Sequence, residues 1–435
     1  MIIQRNLLNQ IKQFINRNEF IAICGPRQAG KTTFLQLIIE HLTTDAKIKS
    51  EHIHFVTFEN RILLHQFETD PLAFVRSYIS AESKTAQFLF IDEFQYAEDG
   101  GQKLKLIYDT AKNVKIIITG SSSLEIKAQV GKYMVGRILT FHLYPFSFRE
   151  MLHTGGNRLV NLYDEKHEII NRWLSSGKTP ETANGKDAFS SEMLQWYEQY
   201  CIWGGYPAVV LSSSPQVKAK VLGELYTNYV LKDIKGLLEL ATEKNLFLLS
   251  RFLAAQMGNI VVYHNLGQAA GLDFRQLKKH LNVLSETFVC GEIRPYFTNK
   301  TKELSKSPKI YFYDNGFRNY LIENMSPLVN RPDGGATVEN SVFIRLGELM
   351  DNHGTLNFWH TKTGAEVDFV LNRGDGAIMP IEVKYSPFDA PRTTRSFTSF
   401  IQSFKPARGI ILTKDFWGTT EQHNCQILFA PVYYL

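Results

Sequence analysis

The chain has 435 residues, of which 44% are hydrophobic and 21% charged, and its formal net charge is +5. This length is sufficient for about three domains and for more than one hydrophobic core. The mildly basic balance permits a nucleic-acid partner but does not require one, since only basic residues clustered on one face would be diagnostic.

The four cysteines, at positions 24, 201, 290 and 425, are far apart and form no C-x-x-C pair. This spacing argues against both a disulfide framework and a structural zinc site, and it fits a reducing compartment. No run approaches the roughly 18 to 20 apolar residues that span a bilayer, and the N-terminal residues lack a long apolar segment. We therefore expect a soluble, cytoplasmic protein without a membrane partner.

Apolar runs typical of strands alternate with helical runs through residues 1–152. The strand-like runs are Phe20–Cys24, Ile53–Phe58, Phe88–Ile91, Lys115–Thr119 and Ile138–Leu143. This alternation predicts a parallel sheet with crossover helices, and hence an α/β fold.

The loop after the first strand reads G-x-x-x-x-G-K-T over residues 25–32 and precedes an amphipathic helical run. A loop in this position surrounds phosphates with backbone N–H groups, and the helix N-terminus adds partial positive charge. Lys31 is expected to reach the β and γ phosphates, and the Thr32 hydroxyl to hold Mg²⁺. The predicted cofactor-binding residues are Gly25, Pro26, Arg27, Gln28, Ala29, Gly30, Lys31, Thr32 and Thr33.

The apolar run at Phe88–Ile91 ends in two adjacent carboxylates, Asp92 and Glu93. We expect Asp92 to support the Mg²⁺ shell and Glu93 to orient or deprotonate the attacking water. Ser121, after the next strand, is a candidate γ-phosphate sensor, with a turn or helix cap as the alternative. Arg137 is a candidate arginine finger toward a neighbouring subunit in an oligomer, with a solvated surface arginine as the alternative.

Residues 153–190 are rich in Gly, Asn, Ser and Thr, and we interpret them as an insertion or linker whose least structured part is Lys178–Gly185. Residues 191–330 are mainly helical. Within them, residues 263–272 and 273–288 form a helix-turn-helix pattern capped by Asp273, and the runs Val289–Phe297 and Lys309–Tyr313 could supply a wing. The basic residues Arg275, Lys278, Lys279 and His280 make DNA contact one interpretation, with a protein-docking module as the other.

Residues 331–435 contain two strand-like runs, Glu366–Leu371 and Met379–Lys384, that predict a hairpin. Glu366, Asp368, Glu382 and Lys384 should share one surface, because side chains two apart on a strand point to the same face. Carboxylates can hold Mg²⁺, and a lysine beside them can activate water. The predicted catalytic residues here are Asp368, Glu382 and Lys384, and the predicted metal ligands are Asp368, Glu382 and Glu339.

Further short motifs accompany these sites along nearly the whole chain. They are Pro145–Phe148, Gly204–Pro207, Lys232–Ile234, Tyr311–Gly316 and Val338–Asn340. Together with the motifs above, they resemble the prokaryotic AAA-type ATPases whose C-terminal half is the domain of unknown function 4143. The resemblance implies an AAA+-like ATP-binding core, a winged-helix region and a C-terminal domain of the PD-(D/E)xK restriction-endonuclease-like type.

Two functions remain open from the sequence. In the first, an ATPase uses ATP and Mg²⁺, with Lys31 and Glu93 as its catalytic residues, and its nucleotide state controls a C-terminal module that binds or cuts DNA. In the second, the chain is a regulatory protein, and ATP controls whether it binds a partner. Its nuclease-like domain is then catalytically inactive and serves to bind nucleic acid or protein. The second function predicts slow hydrolysis and no cleavage.

Overall fold

The computed structural model describes residues 2–79, 86–121, 130–177, 185–228, 243–350, 354–374 and 376–435. The chain divides into two compact units, Met1–Phe146 with Asn282–Val289, and Ser147–Leu281 with Cys290–Leu435. Within the described residues, no helix is both long and apolar enough to cross a bilayer.

The first unit is built on a five-stranded parallel sheet with strand order β2-β3-β4-β1-β5. Its strands are β1 (Phe20–Cys24), β2 (Ile53–Thr57), β3 (Gln87–Asp92), β4 (Val114–Gly120) and β5 (Ile138–His142). Its helices are α1 (Leu7–Phe14), α2 (Lys31–Thr44), α3 (Arg61–Thr69), α4 (Pro71–Tyr78) and α5 (Gly100–Thr110). The five predicted strands and the α/β fold with a parallel P-loop sheet are confirmed.

Local sequence explains where these elements begin. The side chain of Asn60 accepts hydrogen bonds from two backbone N–H groups at the start of α3, and Asp70 does the same before Pro71 at the start of α4. Strands β1, β3 and β4 are buried along their whole length, which is why they read as continuous apolar runs. Apolar side chains of α1 and α2, including Ile11, Phe34 and Ile38, pack on this sheet.

The second unit contains a nine-stranded mixed sheet with order β6-β13-β14-β12-β11-β10-β9-β7-β8. Its strands are β6 (Gly185–Lys186), β7 (Cys290–Pro295), β8 (Lys309–Phe312), β9 (Thr355–His360), β10 (Glu366–Asn372), β11 (Ile378–Lys384), β12 (Arg408–Thr413), β13 (Phe416–Gln422) and β14 (Cys425–Pro431). From Gly334 to Thr413 the elements follow the order helix, three strands, helix and strand, and β10 and β11 pair as an antiparallel hairpin, as the sequence predicts.

The remaining helices follow α5 along the chain and belong mostly to the second unit. They are α6 (Phe148–Leu152), α7 (Asn157–Ser176), α8 (Ser190–Trp203), α9 (Pro207–Val210), α10 (Pro215–Leu225), α11 (Glu243–Ala255), α12 (Tyr263–Ala270), α13 (Phe274–Glu286), α14 (Lys300–Ser305), α15 (Asn315–Leu321), α16 (Gly334–Met350) and α17 (Arg395–Phe404). Short 3₁₀ helices lie at Ser50–His52, Phe94–Tyr96, His153–Gly155, Leu328–Asn330 and Val432–Tyr434.

Most of the segment 153–190, which the sequence predicts to be an insertion or linker, forms a helix. Helix α7 covers 20 of these residues, and its side chains Tyr163, Ile170 and Trp173 are buried in the same core as strands of the C-terminal sheet. This helix is held by apolar burial, which outweighs the polar composition of its exposed side. The part expected to be least structured, residues 178–185, lies outside the described residues except for Gly185, which begins β6.

The predicted helix-turn-helix is present as α12 and α13, separated by Gly271 at φ 65°. The two runs expected to form a wing pair with each other as β7 and β8. Strand β7 also pairs with β9 in parallel, so these strands continue the C-terminal sheet. A winged helix remains a prediction, because the strands that would form its wing are shared with the sheet of the next predicted domain.

Candidate functional site

The phosphate loop follows β1 and turns directly into α2. Gln28 at φ 63° and Gly30 at φ 90° both adopt the left-handed region, which curls the backbone around the space before Lys31. A side chain at Gly25 would place its Cβ 2.1 Å from the carbonyl oxygen of Leu143, so this position requires glycine. The predicted loop, Gly25–Thr32, therefore has the curved backbone and the helix N-terminus that phosphate binding requires.

Lys31 is the first residue of α2, and its side chain is only 5% exposed. Its Nζ donates hydrogen bonds to the carbonyl oxygens of Gly25 and Pro26, each at 3.1 Å. Burial lowers the pKa of Lys31, while the carboxylates of Glu93 and Asp92 favour its charged form. The ammonium group of Lys31 thus lies at the loop where it is predicted to bind phosphate.

The P-loop and the acidic end of β3 meet through side-chain hydrogen bonds. Thr32 Oγ1 donates to Asp92 Oδ2 at 2.6 Å. The hydroxyl of Thr119, at the end of β4, donates to the other oxygen of Asp92 and accepts the backbone N–H of Glu93 at 3.0 Å. Asp92 is 4% exposed, and these two hydroxyl groups fix the position of its carboxylate.

Glu93 has φ 55° and ψ 44°, which places a non-glycine residue in the left-handed region. Gln95 Nε2 donates to its Oε2, and Ser121 Oγ lies 3.4 Å from the same oxygen. Strain of this kind concentrates at functional sites, where the surrounding structure fixes an unfavourable backbone. Ser121 thus lies beside Glu93, and its role as a γ-phosphate sensor stays a prediction. Ser122 and Ser123 lie outside the described residues.

Arg137 lies immediately before β5, at the amino end of the sheet. The P-loop follows Cys24 at the carboxyl end of the adjacent parallel strand β1. The Arg137 guanidinium pairs with Asp109 at 3.3 Å and lies over the ring of Tyr108. Arg137 is thus at the opposite edge of the sheet from the P-loop of its own chain, and a role toward a neighbouring subunit stays a prediction.

A second polar cluster lies on the C-terminal hairpin. The register Phe369 opposite Ile381 places Asp368 near Glu382 on the neighbouring strand. Lys384 Nζ lies 3.0 Å from Glu382 Oε1, and Asp368 Oδ2 accepts the backbone N–H of Val383 at 2.7 Å. Burial raises the pKa of Asp368 and of Glu382. The structure thus brings together Asp368, Glu382 and Lys384 as expected.

Lys309 on β8 and Glu339 on α16 complete this cluster. Lys309 is 2% exposed, forms an ion pair with Glu366, and has its Nζ 3.7 Å from Glu339 Oε1. Burial and the neighbouring Asp368 carboxylate raise the pKa of Glu339 to about 7, and Tyr311 donates its hydroxyl hydrogen to Glu339 at 2.5 Å. Burial disfavours the charged form of Lys309, but the carboxylates outweigh it and raise its pKa.

A metal site at Asp368, Glu382 and Glu339 stays a prediction. Among the described residues, no group of three or more His, Cys, Asp or Glu side chains is placed to hold a metal ion. The carboxylates are held by protein donors instead: Glu382 accepts from Thr394 Oγ1 at 2.9 Å with both oxygens and pairs with Lys384.

Helix α13 presents basic and aromatic side chains. Asp273 Oδ1 accepts the backbone N–H of Gln276 at 2.8 Å, which confirms the expected N-terminal cap. Phe274 is 64% exposed and its ring lies 5.9 Å from that of Tyr263. The exposed residues Arg275 and Lys279 lie on this helix, as does Lys278, whose Nζ is 3.8 Å from the centre of the Tyr263 ring. We call these five side chains, Tyr263, Phe274, Arg275, Lys278 and Lys279, the basic face.

His280 does not belong to the basic face, although the sequence groups it with these residues. It is 3% exposed, and its Nδ1 lies 2.7 Å from the carbonyl oxygen of Gln276 one turn earlier. Leu277, Leu281 and Leu284 are buried, as their helical spacing predicts.

Three family models match separate parts of the chain. Residues 17–152 match the AAA domain. Residues 194–328 match a domain of unknown function, DUF8612, and residues 334–427 match another, DUF4143. The AAA domain thus contains the P-loop, Asp92 and Glu93, while the C-terminal polar cluster lies mostly within the DUF4143 match.

Similar proteins occur in bacteria and archaea. An uncharacterised protein of Haemophilus influenzae is 25% identical over 99% of this chain and 98% of its own length. An uncharacterised protein of Methanocaldococcus jannaschii is 22% identical over 89% of this chain and 80% of its own length. Among solved structures, the Walker-type ATPase PABY2304 of Pyrococcus abyssi is 15% identical, covers 74% of this chain and 96% of that chain, and has a TM-score of 0.42.

Several residues around these sites are not found by sequence reasoning. Thr119 and Arg5 contact the AAA site, and Lys309 and Thr394 contact the C-terminal cluster. Thr119 and Lys309 lie in strand-like runs. The sequence signal for them is that a polar residue occurs among apolar ones. Arg5 carries no signal beyond its residue type, because its contacts are with distant parts of the chain, whereas Thr394 precedes a helix as its N-terminal cap.

Proposed function

We propose that the protein binds ATP and Mg²⁺ at the P-loop of its AAA domain and hydrolyses the nucleotide. The observation that carries this proposal is the 2.6 Å hydrogen bond between Thr32 and Asp92. This bond brings the start of α2 close to the acidic end of β3. Lys31 and Glu93 are the sequence neighbours of the two bonded residues. A phosphate chain in the loop would therefore have a cation, a metal-binding hydroxyl and a carboxylate base within one site.

The residues present fit Mg²⁺. The Thr32 hydroxyl would hold the ion directly and Asp92 would support its hydration shell, while the ion neutralises charge on the phosphates. Lys31 would exchange its bonds to the loop carbonyls for bonds to phosphate oxygens. Glu93 would orient the attacking water and accept its proton, and Ser121 would hold the Glu93 carboxylate from the side.

A Lys31→Ala variant tests ATP binding and turnover. We expect wild-type protein to bind ATP in the presence of Mg²⁺ and to release phosphate, and the variant to lose both, measured by calorimetry and a phosphate-release assay. Lys112→Ala removes an exposed lysine of the same unit and should behave as wild type. A Lys31→Ala variant that binds and hydrolyses ATP as well as wild type would remove the basis of the proposal.

We also propose that the nucleotide state controls the C-terminal module and that this module contacts DNA. The basic face supports DNA contact, because its three basic side chains can meet phosphates and its two aromatic rings offer apolar contact. The acidic residue next to it, Asp273, is used as a helix cap.

Fluorescence anisotropy with a labelled duplex of about 25 base pairs tests the DNA contact. The double variant Arg275→Glu and Lys279→Glu should weaken binding at least tenfold and reduce the dependence of affinity on salt. The matched control, Lys306→Glu with Lys362→Glu, reverses two exposed charges elsewhere in the second unit. Equal losses in both double variants would indicate an effect of net charge alone, and the proposed face would be rejected.

The alternative is a nucleotide-dependent switch whose nuclease-like domain is inactive. One observation favours it: the carboxylates of the C-terminal cluster are engaged by Thr394, Lys384, Lys309 and Tyr311. Incubation of single- and double-stranded DNA with the protein and Mg²⁺ or Mn²⁺, with and without ATP, separates the two functions. Cleavage that disappears in Asp368→Ala would support the nuclease, cleavage that persists in Asp368→Ala would indicate contamination, and intact DNA would support the switch.

A further inference from the structure

The side chain of Arg5 connects the N-terminal segment to the phosphate loop. It is buried, at 6% exposure. Its Nη1 donates to the carbonyl oxygen of Ala29 at 2.9 Å, and its Nη2 donates to the carbonyl oxygen of Tyr144 at 2.5 Å. The guanidinium carbon also lies 4.8 Å from the centre of the Phe146 ring. A charged side chain is rarely buried to this extent unless it is paired or hydrogen-bonded.

The bond to Ala29 determines the direction of one peptide group in the P-loop. A trans peptide is planar, so the carbonyl of Ala29 and the N–H of Gly30 point in opposite directions. A phosphate cradle needs its N–H groups on the inside, and its carbonyls therefore need donors on the outside. Arg5 is such a donor for Ala29, at a place where Gln28 and Gly30 both have positive φ.

The second bond of Arg5 anchors the loop to the segment below it. Leu143 donates its N–H to the carbonyl of Cys24 at 2.7 Å, and the carbonyl oxygen of Leu143 closely approaches Gly25. Residues 143–146 therefore lie directly against the beginning of the P-loop. Because Arg5 donates to Tyr144 as well as to Ala29, it joins this supporting segment to the other end of the loop.

We propose that Arg5 is a positioning residue for nucleotide binding, which holds the Ala29–Gly30 peptide with its N–H toward the phosphates. The proposal rests on the proposed ATP-binding function. Arginine suits this role because its planar fork holds its donors in fixed directions on separate nitrogens, whereas the donors of lysine share one nitrogen at the end of a flexible chain. Arg5 does not contact the nucleotide, so its loss should affect affinity more than the chemical step.

The test compares full-length Arg5→Met and Arg5→Lys with wild type. We expect Arg5→Met to raise the Kd for ATP with Mg²⁺ about ten- to a hundredfold, the range for loss of charge-assisted hydrogen bonds. Arg5→Lys should give a smaller increase. The KM for ATP should rise more than kcat falls, and amide hydrogen exchange of residues 25–33 without nucleotide should increase. Arg17→Met removes a surface arginine paired with Glu19 and should change none of these.

The outcomes separate this inference from the proposed function. Wild-type protein that binds no ATP would reject both. Wild-type binding with an unchanged Kd in Arg5→Met would reject the positioning role alone. If Arg5→Met does not fold, as judged by circular dichroism, Arg5→Lys decides: a Kd equal to that of wild type would overturn the inference, and a raised Kd with faster exchange in the loop would support it.

Discussion

Glu93 combines an unfavourable backbone conformation with a side chain held by two polar neighbours, Gln95 and Ser121. A non-glycine residue in the left-handed region costs on the order of 1 kcal/mol or more. Glycine would relieve that cost at this position, but it would remove the carboxylate. The residue type and the strain together support the proposal that the carboxylate takes part in hydrolysis.

Replacement of Glu93 by Gln should preserve ATP binding and remove most hydrolysis. Glutamine retains the size and the hydrogen-bonding oxygen of glutamate but cannot accept a proton from water, so we expect the hydrolysis rate to fall about 10²- to 10⁴-fold. Calorimetry measures binding and single-turnover phosphate release measures the chemical step. The exposed Glu98→Gln variant is the control. Hydrolysis by Glu93→Gln at the wild-type rate would exclude Glu93 as the base.

At the scale of elements, two glycine-containing motifs fix the contact between helices α8 and α15. A Cβ at Gly204 would lie 2.2 Å from Asp314 Oδ1, and one at Gly316 would lie 1.9 Å from the carbonyl oxygen of Trp203. Asp314 caps α15 through the N–H of Phe317 and also accepts the N–H of Gly205, each at 2.7 Å. The motifs that begin at Gly204 and Tyr311 are therefore explained by packing.

This contact predicts a pH dependence of stability. Burial raises the pKa of Asp314 to about 6, above its usual value of 3.8. Between these values the folded protein binds more protons than the unfolded chain, so the contribution of Asp314 to the unfolding free energy falls as pH rises through this window. This difference in pKa corresponds to about 3 kcal/mol in the unfolding free energy.

Urea unfolding of wild type and Asp314→Asn between pH 4 and pH 7.5 tests this effect. The variant lacks the titrating group, so the wild-type advantage in unfolding free energy should shrink by up to about 3 kcal/mol as pH rises, and then remain constant above about pH 7. Glu303→Gln is a matched control, because Glu303 is a buried carboxylate that pairs with Lys300 at the surface. A difference between wild type and Asp314→Asn that does not change with pH would contradict the prediction.

The elements differ in how well the sequence predicts them. The sequence predicts strands β1, β3 and β4 because buried parallel strands are continuous apolar runs. Helix α7 carries buried residues at Leu159, Tyr163, Ile170 and Leu174, which is a helical spacing. The segment also contains many polar residues and a preceding Gly-Gly pair, so its composition resembles that of a linker. A prediction from composition therefore gives a linker where the chain forms a helix.

For the candidate sites, sequence reasoning finds the residues that lie in short motifs and misses those that arrive from elsewhere. Lys31, Asp92 and Glu93 were predicted from spacing alone. Lys309 and Arg5 reach their partners across long sequence separations, and no local pattern reports such a contact. The metal set at the hairpin is predicted from residue types, and two of the donors that engage its carboxylates, Thr394 and Lys309, come from outside the hairpin.

At the scale of the whole molecule, the predicted domain boundaries do not coincide with the core of the second unit. One hydrophobic core contains Trp173 from residues 153–190, Tyr311 from residues 191–330, and Phe369 and Ile381 from residues 331–435. The nine-stranded sheet likewise combines strands from all three segments. Composition reports where a chain is polar, whereas a domain is defined by which distant side chains are buried together.

A shared core makes the stability of the C-terminal sheet depend on a helix outside it. Trp173 is fully buried, its Nε1 donates to the carbonyl oxygen of Gly409 at 3.3 Å, and its own carbonyl accepts from Arg408 at 2.5 Å. We expect Trp173→Ala to lower the unfolding free energy of the second unit by about 3 to 5 kcal/mol, the cost of a large cavity. Chemical denaturation measures this loss, and amide hydrogen exchange of β11 and β12 measures its effect on the C-terminal sheet.

The control is Val329→Ala, since Val329 is 84% exposed and its truncation should change the unfolding free energy by no more than about 0.5 kcal/mol. ATP affinity provides a second control, because the P-loop belongs to the other unit and should retain its Kd in Trp173→Ala. If residues 331–435 formed an independent domain, exchange in β11 and β12 would be the same in Trp173→Ala and in wild type. Faster exchange there would establish that helix α7 is an integral part of the C-terminal fold.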